Sequence, residues 1–426
     1  MSEVVENLLE KLQTFTSVGG QGDSDVAKDV IVDISEVFSK DLSPVTYELY
    51  LNHIFGEKGI IRFGRNVSKD QAFVEAKKST LDLIKTLLEK DKKKITKYVE
   101  EIRKYTLFLY NVDKSSKIRA VALDVLCTLL EKFFSDASSD EFNIGQFIEG
   151  LCVDMRSPKG STVLYQQLRT LGMLAYIYPE KVRHQAALIL KAFKEQLAKH
   201  TGSKPDLIAL AGALRGLSLY LRHFPEGQSD VPALYSLLYK HIHKVLNPDL
   251  NLAKRDSQRA ALELVHEHGG KFSSQLYERY DTLFHWFVRW CGAKNRDDHK
   301  AGLKAMDTFI LVISNILELQ SAEESKKGVQ VFKFLLREYN QILETSSSTS
   351  QVSLAVRGYG LLSGSCRQLL SPVEVHTMFT RVLSASHHAF YQSSEMLENK
   401  LTNLPSYIES LSCIINNMDL VCIVLQ

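Results

Sequence analysis

Three groups of residues could do chemistry. The run Gly358-Tyr359-Gly360-Leu361-Leu362-Ser363-Gly364 has the glycine density of a loop that cradles phosphate with backbone amides. Three residues separate Gly360 from Gly364 where dinucleotide and kinase loops have two, and no strand pattern precedes it, so these glycines read as permitting close helix packing or a helix break. Phosphoryl transfer would also need a strand lysine, a catalytic His-Arg-Asp and an Asp-Phe-Gly, and the sequence contains none of that set. The second group is His241-x-His243 and His266-x-His268. Residues two apart on a helix point about 200° apart, and no Cys or carboxylate stands at ligand spacing, so surface or interhelical histidines are expected and no metal. His285, Trp286, Trp290 and Cys291 share one segment with Trp286 and Trp290 at i, i+4, which predicts a core or inter-repeat aromatic seam in preference to a ligand cage. No Ser/His/Asp set or carboxylate pair stands out, and no cofactor or small-molecule substrate is expected.

The third group is basic. Lys85, Lys90, Lys92, Lys93, Lys94, Lys97, Arg103 and Lys104 face four acids within Lys85–Lys104; Lys114, Lys117 and Arg119 follow, and Lys254, Arg255 and Arg259 form a later set. Taken singly, such clusters are solvated faces. Stacked along one edge of a repeat array they could instead track a nucleic-acid backbone, and Lys92, Lys93, Lys94, Lys97, Lys114, Lys117, Arg119, Lys254 and Arg255 are the residues expected to contact phosphate.

What must position these residues is helical. Gly and Pro number 22 and 9 in 426 residues, well below roughly 12% in average usage, and neither Asn-Gly nor Asp-Gly occurs, which argues against turn-rich β folds. Lys117–Phe134 places Ile118, Ala122, Val125, Leu126, Leu129, Leu130 and Phe133 on one face at helical spacing. Similar segments run over 162–177, 207–224, 255–268, 299–319, 352–369 and 406–421, alternating with helices over 94–110, 142–155, 181–200, 232–246, 274–290, 328–343 and 373–390. Landmarks Leu123, Leu171, Leu214, Leu262, Leu303, Gly358 and Ser410 are 48, 43, 48, 41, 55 and 52 residues apart, close to the roughly 40–47 of HEAT and armadillo units with loop insertions. The fold class expected is all-α, an α-solenoid of HEAT/armadillo-like helical repeats. Small residues (Ala122, Gly172, Ala211, Gly212, Ala213, Ala260, Ala261, Gly302) mark the expected close approaches between helices. Breaks fall at 157–160, 202–205, 225–227, 247–248 and 269–270, and Ser346–Ser350 reads as a flexible loop.

Formal net charge is +2, so any nucleic-acid contact must come from a local patch. Cys127, Cys152, Cys291, Cys366, Cys413 and Cys422 are scattered singly, as reduced core thiols would be. The N-terminus lacks a charged n-region and apolar h-region, and no window reaches about 18 apolar residues; an intracellular, soluble protein without membrane contact is expected.

Several stretches carry a family resemblance: Asp140-Glu141-Phe142-Asn143-Ile144-Gly145, Leu210–Ser218 (LAGALRGLS), Leu354–Leu361 (LAVRGYGL) with Gly364 and Cys366, and Pro405-Ser406-Tyr407-Ile408-Glu409-Ser410. In this order and spacing they resemble the N-terminal region of DNA-dependent protein kinase catalytic subunits, within the phosphatidylinositol 3-kinase-related kinase family. The resemblance covers the chain from about residue 70 onward. It implies two segments, 1–70 as a weakly matched helical segment and 71–426 as a HEAT-repeat arm of about seven helix pairs with no kinase domain. It further implies a nuclear, non-catalytic scaffold that binds duplex DNA ends without reading sequence, the Ku heterodimer and other repair proteins during non-homologous end joining of double-strand breaks. Such an array is much longer, and Met418–Gln426 lacks the polar cap a solenoid terminus needs, so the chain reads as a piece of one. Near-neutral bulk charge favours an alternative, a protein–protein adaptor of karyopherin or armadillo type with no DNA role. An enzyme of its own would need a convergent polar site, and the sequence offers none.

Overall fold

A computed structural model describes residues 48, 51, 52, 54, 55, 74–90, 92–133, 143–200, 205–224, 231–247, 255–319, 325–392 and 397–418. The expected segment 1–70 therefore lies outside the described residues apart from five positions. All regular structure among the described residues is helical. The chain divides into two compact units, Met1–Gly227 and Gln228–Gln426.

In the first unit the longer helices are α1 (Val74–Lys90), α2 (Val99–Val112), α3 (Ser116–Lys132), α4 (Ile144–Asp154), α5 (Ser161–Ile177), α6 (Ala186–Lys199) and α7 (Leu207–Tyr220). Their starts are written in the sequence. The Ser115 side chain accepts from Ile118 N–H at 3.5 Å, Asn143 from Gln146 N–H at 3.0 Å, and Asp206 from Ile208 and Ala209 N–H at 3.1 and 3.2 Å. The odd-numbered helices pack in a row, α1 on α3, α3 on α5 and α5 on α7, while α2 lies on α3 and α6 on α7. Tyr105, Phe133, Phe193 and Tyr220 fill the core between them.

The second unit repeats the arrangement. Its longer helices are α8 (Val231–Leu246), α9 (Arg255–His268), α10 (Tyr280–Cys291), α11 (Arg296–Leu319), α12 (Lys326–Thr345), α13 (Thr349–Ser365), α14 (Pro372–His387) and α15 (Leu397–Ile415). Again α9, α11, α13 and α15 stack in order, and α8, α10, α12 and α14 each lie against the odd helix that follows. Asn295 accepts from Asp297 and Asp298 N–H at 3.0 and 3.2 Å at the start of α11, and Ser371 with Glu374 forms a capping box on α14.

Glycine makes the closest crossings possible. A Cβ at Gly172 of α5 would lie 2.5 Å from Gly216 Cα of α7, and one at Gly212 would lie 2.6 Å from Tyr165 Cα. In the second unit a Cβ at Gly302 would meet the Trp290 backbone at 2.6 Å, and one at Gly360 the Ser410 Cα at 2.7 Å. A Cβ at Gly358 would run into the buried Tyr339 ring. The 358–364 run is thus helix, and Gly358 and Gly360 let α12 and α15 approach α13.

Ion pairs add a second set of ties. Asp124 of α3 takes Lys85 Nζ from α1 and Arg169 Nη1 from α5, each at 2.6 Å, so one carboxylate joins three stacked helices. Arg259 of α9 holds buried Asp298 of α11 through Nε at 2.9 Å and Nη2 at 2.8 Å. Arg357 of α13 with Asp307 of α11, and Arg381 of α14 with Glu344 of α12, are tied in the same way. Cys127, Cys152, Cys291 and Cys366 are buried thiols outside any disulfide, and burial pushes the Cys152 thiol up to about 11.

Candidate nucleic-acid interface

The best-built display of basic side chains is the turn between α2 and α3. Buried Lys77 of α1 pairs with buried Asp113 at 2.8 Å, and the other Asp113 carboxylate oxygen accepts from Ser115 N–H at 2.8 Å. With the Ser115 cap on α3, both sides of the turn are fixed to the core. Lys114 and Lys117 project from this fixed turn as exposed residues.

Arg119, expected beside them, does something else. It is 3% exposed, its Nη2 donates to Asp154 of α4 at 3.1 Å, and its guanidinium lies 4.8 Å from the centre of the Tyr110 ring. Tyr110 O–H donates to the same Asp154 oxygen at 2.8 Å and accepts from Gln167 at 2.8 Å; burial pushes its phenol up, so it keeps its proton. Arg119 is therefore an interhelical tie, and its expectation as a phosphate contact is corrected: two residues beyond Lys117 on a helix, its side chain turns into the core.

Within the first unit, Lys93, Lys94 and Lys97 do not share an edge with Lys114 and Lys117. Lys93, Lys94 and Lys97 are exposed in the segment before α2, where Lys97 pairs with Glu48 and lies 5.0 Å from the Tyr98 ring centre. Lys114 and Lys117 follow the other end of α2, and 14 helical residues put about 21 Å between the two groups. The Lys92 side chain and all of Lys254 fall outside the described residues, and Arg255 is exposed at the first position of α9 in the second unit.

Two neighbours of the α2–α3 turn went unread in the sequence. Gly160, with φ at 139°, brings the turn before α5 against α3, since a Cβ there would sit 3.7 Å from Ser116 Cβ. That turn presents exposed Arg156 and Lys159. The residue after Gly160, Ser161, hydrogen-bonds the Asp206 cap of α7. Burial alone would raise the Asp206 carboxyl, but the bonds from Ser161, Ala209 and Ile208 and the His200 ring hold it below the usual range. The N-terminal ends of α3, α5 and α7 therefore adjoin, with Lys114, Lys117, Arg156 and Lys159 around them. The only signal in the sequence was the break Ser157-Pro158-Lys159-Gly160, which marks a turn without saying what it touches.

The other motifs are structural. His266 Nδ1 lies 3.0 Å from Thr308 Oγ1, His241 is buried, and His243 rests against Trp286 with ring centroids 4.8 Å apart. Among the described residues no His, Cys, Asp and Glu side chains form a group able to hold a metal, and no helix is long and apolar enough to cross a membrane.

Comparison with known proteins gives the family. A family model described as DNA-PKcs, N-terminal matches residues 49–426. The DNA-dependent protein kinase catalytic subunit of Canis lupus familiaris is 27% identical over 389 residues, 90% of this chain and 9% of that protein. The subunit of Mus musculus is 26% identical over 369 residues and that of Xenopus laevis 25% over 368, each covering 85% of this chain and 9% of the relative. The chain thus spans about a tenth of the length of these relatives. A family match that runs through both helical units, from residue 49 to residue 426, means that the chain belongs to the DNA-PKcs N-terminal family.

Proposed function

We propose that the chain is the N-terminal scaffold arm of a DNA-dependent protein kinase, in which residues 71–426 form a HEAT-type solenoid that engages duplex DNA ends. The alternate-helix stacking within each unit supports the repeat reading. The adjoining starts of α3, α5 and α7 carry the DNA reading: Lys114, Lys117, Arg156 and Lys159 stand around them, and the N-termini of α3 and α5 favour an anion, that of α7 being capped by the Asp206 carboxylate. Such an edge contacts phosphates and reads no sequence. In this reading the chain works in the nucleus, in double-strand break repair by non-homologous end joining with the Ku heterodimer and other repair proteins, and leaves phosphoryl transfer to a domain outside these residues.

The test is charge reversal. Each phosphate contact contributes about 0.9 to the slope of log affinity against log salt, so Lys114→Glu with Lys117→Glu should lower the slope for a blunt duplex by roughly 2. An unchanged slope and affinity would remove this edge as the DNA surface. A second reading, a protein-binding adaptor, draws on α15, where Leu397, Leu401, Ile408 and Ile415 are all largely exposed on one stripe.

A further inference from the structure

Basic charge is concentrated on three helices of the second unit that lie outside its odd-numbered stack. Together α8, α10 and α12 carry seven Lys and Arg against three acids, although the whole chain is only +2. Two of those acids are engaged: buried Glu338 takes Arg337 at 2.8 Å, and Glu344 takes Arg381 at 2.7 Å. The same helices share an aromatic seam. His243 of α8 meets Trp286 of α10, and Phe334 of α12 lies 5.1 Å from Tyr280 and 5.7 Å from His285, both on α10. Trp286 and Phe334 are half-buried and His285 is exposed, so the seam is open to solvent in part.

The Phe334 ring is covered by the Arg337 guanidinium, 5.4 Å from its centre, which leaves Trp286 as the ring open to a ligand. We infer that the face shared by α8, α10 and α12 binds a single nucleic-acid strand, with Trp286 stacking on a base and Lys240, Arg289 and Lys333 meeting phosphates. Cations interleaved with rings are what an unpaired strand requires, because its bases offer free π-faces for stacking. A duplex hides those faces and would use the charge alone. A protein partner fits less well, because five of the seven cations are lysines, which protein interfaces deplete. The site shares no residue with the α3, α5 and α7 edge and does not depend on it.

The chain supplies its own reporter, since both of its tryptophans lie on α10. Titration of the full chain with an oligothymidine of about 15 nucleotides should quench tryptophan fluorescence, while a blunt duplex of equal length or heparin should not. Trp286→Leu should weaken oligothymidine binding, read by anisotropy, roughly tenfold or more. Lys240→Glu with Lys333→Glu, surface changes that leave the packing intact, should lower the salt slope by about 2 and keeps the test valid if Trp286→Leu fails to fold. Lys114→Glu with Lys117→Glu should leave oligothymidine binding unchanged. Absence of quenching, affinity indifferent to both α8–α12 variants, or equal displacement by polyglutamate would overturn the assignment.

Discussion

Replacing Gly172 by alanine tests whether glycine sets the spacing of the stacked helices. A Cβ there would lie 2.5 Å from Gly216 Cα and 2.6 Å from Gly216 C. Ordinary carbon contacts are about 3.5–4.0 Å, so α5 and α7 would have to part by roughly 1 Å. Neither obstructing atom belongs to a side chain that can rotate away. Parting also loosens Leu168, Leu171, Ala213 and Leu217, all fully buried. Overpacking of this kind costs about 3 kcal/mol at the upper end, against a gain of about 1 kcal/mol from replacing a helical glycine by alanine, for a net loss of about 2 kcal/mol. In a unit of this size that lowers Tm by about 4–8 °C in a far-ultraviolet circular dichroism melt. Gly150 of α4 is the control, because a Cβ there meets nothing within 4 Å and the residue is exposed. Gly150→Ala should raise stability by up to about 1 kcal/mol. The reasoning fails if Gly172→Ala melts at or above the parent temperature, or if the two variants fall equally.

Three further outcomes follow from the geometry. Arg259→Ala leaves the buried Asp298 carboxylate without the guanidinium that donates twice to its Oδ1 and should cost about 2–4 kcal/mol, with Asp298→Asn in the Arg259→Ala background restoring part of it; no restoration in urea titrations would show that the charge was not the cause. Acid should weaken the fold from about pH 6.5 downward. Burial lowers the pKa of both His200 and His243, so the unfolded chain binds protons there before the folded one does, and stability present above the ordinary histidine value is lost as pH falls through the lowered ones. The Asp206 carboxyl, also held low, extends that loss below about pH 4; a melting temperature flat between pH 7 and 5 would contradict the histidine part. Arg119→Lys should destabilise the first unit by about 1–3 kcal/mol without altering the salt slope of duplex binding, and a changed slope would return Arg119 to the phosphate surface.

Helices were the legible part of the sequence. Expected segments 162–177, 207–224, 255–268 and 328–343 coincide with α5, α7, α9 and α12 to within a few residues, because one apolar face per helix must repeat every 3.6 residues whatever it packs against. Where local pattern was ambiguous, boundaries slipped. α1 went unread, its apolar stripe masked by Lys77, Lys78, Lys85 and Lys90. α15 begins nine residues before the expected Ser406 and carries Pro405 inside it, a residue that disfavours helix interiors. The short turns of 3-10 helix at Thr96–Tyr98 and Arg183–Gln185 have no pattern of their own.

Sequence by itself determined that the chain is helical, that its helices recur in pairs, that small residues mark crossings, and that basic residues cluster near helix starts. Each is a property of neighbours along the chain. Only the tertiary structure decided which glycine meets which backbone, that Arg119 turns inward while Lys114 and Lys117 turn out, that the lysines before α2 stand a helix length from those after it, and that Gly160 carries Arg156 and Lys159 to the same edge. Those outcomes depend on register between helices some 35–55 residues apart, and a periodic pattern leaves that register open until side chains from both helices compete for the same space.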